Sequence, residues 1–114
     1  MARTSLARPM GWASAYIERL QHGETVSFRP RGASMEGKIS SGQLCTVAPL
    51  TDGASLRVGD IVLCRVGRAE YLHLIHATAD GRFLIGNNRG RINGWVVPRA
   101  IYGLCVAVDG VPRR

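Results

Sequence analysis

The sequence predicts a mainly β protein, with curved antiparallel sheets forming a partly closed barrel or sandwich and one N-terminal helix packed outside. Three observations point this way. From Thr25 onward, short runs rich in β-branched and aromatic residues alternate with glycine-bearing turns every 8 to 15 residues, which is the pattern of a small all-β domain. Only one segment, near the start, has helical periodicity. A chain of 114 residues closes one hydrophobic core without needing disulfides or a metal.

The elements follow in order. Residues 1–10 read as a loose basic N-terminus, residues 11–110 as a single domain and residues 111–114 as a tail. GWASAYIERLQHG places Trp12, Tyr16, Ile17 and Leu20 on one helical face, and Gly23 closes it as a C-cap. Seven strand-like runs come next: TVSFR, QLCTVAPL, DIVLCRV, EYLHLIHA, RFLIG, GWVVP and AIYGLCVAV. Asp52-Gly53, Val66-Gly67 and Asp80-Gly81 supply turns, the last joining EYLHLIHA to RFLIG as a hairpin. No internal repeat or low-complexity segment interrupts the chain.

Composition narrows the function classes. The formal charge is +7, and Lys38 is the only lysine among 15 basic residues. Such a surface attracts nucleic acid, anionic lipid or acidic partners at long range, but the arginines are scattered, which suits a solubilising coat as well as a nucleic-acid surface. Cys45, Cys64 and Cys105 each lie within an apolar run and share no CxxC spacing. Metal binding and a disulfide framework are not expected, and reduced, buried thiols fit a cytoplasmic protein. MARTSLARPM has no apolar core of the signal-peptide kind, and no apolar run is long enough to span a bilayer.

The chemistry centres on RPRGASMEGKISSGQL, residues 29–44. Gly32 and Ala33 let the chain turn tightly before Ser34, as a nucleophile needs; a turn-forming serine has the same local sequence. A serine hydroxyl becomes nucleophilic when a base takes its proton. Lys38 is four residues on, within reach only across a helical turn that Gly37 disfavours, while His22 suits the end of the helix. In EYLHLIHA, alternation sends Tyr71, His73 and Ile75 to one face and Leu72, Leu74 and His76 to the other. The two histidines therefore diverge and make poor ligands for one metal ion. GNNRGRINGW, residues 86–95, gathers glycines, asparagines and two arginines, in keeping with a turn or an anion-holding loop but without the ending of a P-loop.

In order and spacing, these pieces resemble one family over residues 25–109. RGASMEGKISSGQLCTVAP is similar to the nucleophile segment of signal peptidase I and the LexA-like self-cleaving serine peptidases, where Gly-x-Ser-Met precedes a Gly-Asp and a strand. LRVGDIVLCRV resembles the family's second Gly-Asp-strand element. IGNNRGRINGWVVPRAIYGLCVAV resembles its Gly-Asp-Asn-Arg segment, followed by an aromatic, a Val-Pro and an Ile-x-Gly strand. Counted from Gly59, His73 falls at the lysine base of the LexA-like proteins, a place that histidine takes in eukaryotic and archaeal signal peptidases.

The resemblance implies a serine peptidase that cuts a peptide bond in a specific partner or in itself; without a membrane-length apolar run it is expected to be soluble, and no cofactor or metal is expected. Ser34 would attack the carbonyl, its own N–H would help to hold the oxyanion, and Gly32, Ala33 and Met35 would shape the oxyanion and substrate site. His73 would act as general base. Four positions differ from the family: Gly37 stands for a proline, Gln43 and Asn87 for aspartates, and Leu74 for an arginine. With the aspartate gone, Asn87, Asn88 or Asn93 is left to orient the imidazole. Lys38 is an alternative base, as is His76 if a one-residue bulge shifts the strand register. The other reading of the same fold is a catalytically idle module that binds protein or nucleic acid.

Overall fold

The computed structural model describes residues 11–50 and 55–113. The expected loose N-terminus, the Asp52-Gly53 turn and Arg114 lie outside the described residues. Helix α1 (Ser14–Gln21) buries Ile17 and Leu20. It ends where the glycine predicts: Gly23 N–H donates to Leu20 O and Glu24 N–H to Arg19 O, both at 3.0 Å, the paired bonds of a Schellman motif. Its start is capped from a distant strand. The Glu70 carboxylate accepts from the Ala13 N–H at 2.7 Å, a backbone donor that the helix start leaves open, and from the Ser14 hydroxyl. Trp12 precedes the helix instead of lying on its apolar face and is 51% exposed.

The strands are β1 (Val26–Phe28), β2 (Cys45–Pro49), β3 (Ile61–Val66), β4 (Ala69–Ala79), β5 (Arg82–Gly86), β6 (Ile92–Val96), β7 (Ile101–Val108) and β8 (Val111–Pro112). They form one antiparallel sheet in the order β1-β2-β7-β3-β4-β5-β6, with β8 paired to β7. The fold is therefore mainly β with a single helix among the described residues. The sheet is open, since β1 and β6 are edges. Two boundaries differ from expectation. Val111 and Pro112, read as tail, pair with Val108 and Ala107; β6 starts at Ile92, inside the stretch read as a loop.

The sheet is covered on both faces, which is why IVLC in β3 is apolar without alternation. On one face Ile61, Leu63, Leu72 and Leu74 pack with Ile17, Leu20 and Val26. On the other, Val62, Cys64 and Ile75 pack with Ile85, Val96 and Ile101. The helix can lie close on β7 because residue 103 is glycine: a Cβ there would stand 2.6 Å from Val47 Cγ1 and 3.0 Å from Leu20 Cδ1. The second face is covered by the sheet's own curl, which brings Gly94 of β6 to Val66 of β3.

Strand β4 keeps the expected alternation from Tyr71 to Ile75 and then breaks it. Ile75 pairs with Ile85 and Ala77 with Leu84, so His76 is the extra residue of a β-bulge. All three cysteines are buried and free; burial pushes the Cys64 thiol up to about 12. No helix among the described residues is long and apolar enough to cross a membrane.

Candidate active site

Ser34 lies in the loop between β1 and β2, and that loop is tied across its base. Gly42 N–H donates to Pro30 O at 2.8 Å, Gly32 N–H to Ser41 Oγ at 3.1 Å, and the Arg29 guanidinium to Gly42 O at 2.9 Å. Between these ties the chain makes a single helical turn. Lys38 and Ile39 N–H both reach Met35 O, at 2.9 and 2.8 Å, and the buried Met35 and Ile39 side chains anchor it in the core. The turn forms despite Gly37, which takes φ +94°. A proline, fixed near φ −65°, could not follow this path, so the glycine is part of the loop's shape.

A second loop holds the first. Between β5 and β6, the buried Asn87 Oδ1 accepts from Arg89 and Arg91 N–H at 2.8 and 2.9 Å and folds the segment back on itself. That presents Asn88 to the serine loop: its N–H donates to Ser34 O at 2.8 Å and its Nδ2 to Glu36 O at 2.6 Å. Asn88 therefore supports the loop that carries Ser34 and not the histidine.

His73 sits in the middle of β4, opposite Val62, and is buried. Its Nδ1 meets Asn93 Oδ1 at 2.7 Å. An amide oxygen only accepts, so Nδ1 carries the proton and Nε2 keeps its lone pair. The Tyr71 ring stacks on the imidazole, with centroids 4.7 Å apart. Burial is the main reason that His73 is held below the ordinary histidine range; the Asn93 bond opposes this and His76 adds to it. At neutral pH the ring is uncharged and able to accept a proton.

Ser34 and His73 line one cleft of about 430 Å³, together with Met35, Asn93, Arg31 and Arg91. Gly32 and Asn87 also line it; Ala33 is exposed and does not. Among the described residues the Ser34 hydroxyl makes no hydrogen bond, to His73 or to any other group, and no acceptor engages its N–H. That leaves the N–H free to donate to an incoming oxygen. The other proposed bases point elsewhere. Lys38 is exposed and His76 sits at the bulge, its Nε2–H donating to Asn87 O at 2.8 Å, and neither lines the cleft.

Sequence reasoning missed Glu70, which also lines the cleft. It is paired with Arg65 at 2.9 Å and has a side chain 1% exposed. Burial would raise its carboxyl, but hydrogen bonds from Ser14, Arg65 and Ala13 outweigh that and hold it below the usual carboxylate range. The clue available was the tight turn at Gly67, which sets Arg65 directly across from Glu70. No protein-family model matches the chain, and no curated protein matches it.

Proposed function

We propose that the cleft is the active site of a serine peptidase of the signal-peptidase and LexA-like kind, acting on a peptide bond of a protein. Ser34 Oγ attacks the carbonyl as His73 Nε2 takes its proton, and the Ser34 N–H donates to the developing oxyanion. His73 then passes the proton to the leaving amine, and water attacks the acyl-enzyme by the reverse route. The observation that carries this reading is the shared cleft of Ser34 and His73, with the histidine's Nδ1–H already engaged by Asn93. The sheet's curl at Gly94 and Val66 is also in keeping with the family's partly closed barrel.

The unmade bond between Ser34 and His73 favours a second reading, a binding module that has lost catalysis. Catalytic hydrogen bonds often tighten only with substrate bound, so the two readings separate by reactivity. A fluorophosphonate probe labels the wild-type serine and fails to label Ser34→Ala and His73→Ala if the dyad operates. Equal labelling of all three proteins, or of none, would leave the binding module standing.

A further inference from the structure

We propose that the cleft continues into an aromatic hollow, and that the two together select an extended peptide carrying a large aromatic side chain close to an acidic one. This rests on the peptidase reading only in taking the cleft as a peptide's. The hollow measures about 360 Å³ and is lined by Trp12, Tyr16, Phe28, Arg29, Pro30 and Arg31. Trp12, Pro30 and Arg31 line the serine cleft as well, so the two spaces meet along those residues.

The hollow is built before anything enters it. Phe28 is buried by its place in β1. Tyr16 stacks on it with centroids 4.5 Å apart, and Trp12 meets it edge-on at 5.6 Å. Trp12 is half exposed yet held, because its Nε1–H donates to Glu70 O at 3.0 Å. A fixed aromatic wall costs little ordering entropy when a flat side chain lands on it.

The sign of charge identifies the neighbour. Glu70 is the one acidic side chain lining either space, and Arg65 already neutralises it. Arg31, in both spaces, and Arg91, in the cleft, have no ion pair among the described residues. An acidic side chain lying across this junction gains from both. The chain's own first ten residues carry Arg3 and Arg8 and no acid, the wrong sign for the site, whereas an acidic segment of another polypeptide has the right one.

The test uses Ser34→Ala protein, which binds without cutting, and fluorescein-labelled decapeptides of Gly, Ser and Ala bearing one Phe and one Asp at separations of one to five residues. Fluorescence anisotropy should show at least one separation binding about tenfold more tightly than its Phe→Ala and Asp→Lys controls. Adding Arg31→Glu should transfer the preference from Asp to Lys, and Trp12→Ala should remove the preference for Phe. Arg31 is exposed, so its variant keeps the test decisive if Trp12→Ala does not fold. Equal affinity for test and control peptides at every separation would overturn the proposal, as would an Asp preference that survives Arg31→Glu. Peptide preference together with an unlabelled wild-type serine supports the groove and removes the peptidase; labelling without peptide preference does the reverse.

Discussion

Replacing Asn93 with alanine tests the site at the bond that defines the histidine's tautomer. His73 Nδ1–H donates to Asn93 Oδ1 at 2.7 Å, and without that acceptor the proton can move to Nε2, the nitrogen that receives the serine's proton in the proposed reaction. A buried hydrogen bond of this kind contributes about 1.4 kcal/mol, which corresponds to a factor of about ten in the population of the productive tautomer. Probe labelling of Ser34 in Asn93→Ala should therefore fall about tenfold at pH 8. The pH midpoint should move further down, because the Asn93 bond is the interaction that raises the His73 pKa. Asn93→Asp should do the opposite on both counts, since a carboxylate favours the imidazolium that forms during attack. An Asn93→Ala protein that labels as fast as wild type, or an Asn93→Asp protein whose midpoint drops, would refute this assignment.

Three further outcomes are expected. Glu70→Ala removes the partner of Arg65 and the cap of α1 together, and should cost about 3 kcal/mol, read as a loss of about 12 °C in melting temperature. Because the folded Glu70 carboxyl lies below its ordinary 4.5, the stability it contributes is fully present above that pH and is lost as pH falls through the folded value; the gap between the two proteins' melting temperatures should narrow in acid. Gly37→Pro, which installs the residue of the peptidases that the sequence resembles, cannot take φ +94° and should abolish labelling, whereas retained labelling would show that the turn's path is not required. Asn88→Ala releases Ser34 O and Glu36 O and should slow labelling several-fold without moving the pH midpoint; a shifted midpoint would mean that Asn88 acts on His73 after all.

Much of the sheet was legible because its strands are short, apolar and separated by glycine. The turn at Asp80-Gly81 and the face shared by Tyr71, His73 and Ile75 were readable from dipeptide chemistry and a period of two. The bulge at His76 was not, because a bulge depends on the partner strand's register, which no local pattern records. Strand β8 escaped notice for a different reason: two residues, one a proline, carry no strand signal of their own and pair only because β7 lies beside them. Glu70 is the clearest loss. It is a single acid near the start of an apolar strand, where a solvated turn charge looks the same, and its partners Ala13 and Ser14 lie 57 and 56 residues away. Among the three asparagines weighed for the histidine, only folded distances assign Asn93 to the imidazole and Asn88 to the serine loop.

That division of labour places both tasks on one hairpin. Asn88 and Asn93 lie five positions apart, in and just after the loop that joins β5 to edge strand β6, and between them they reach both the loop that carries Ser34 and the imidazole of His73. Edge hairpins open at lower free energy than the interior of a sheet. One such opening would release the hydrogen bonds to the Ser34 loop and to His73 in a single event, so the residues proposed as nucleophile and base share a latch on one hairpin.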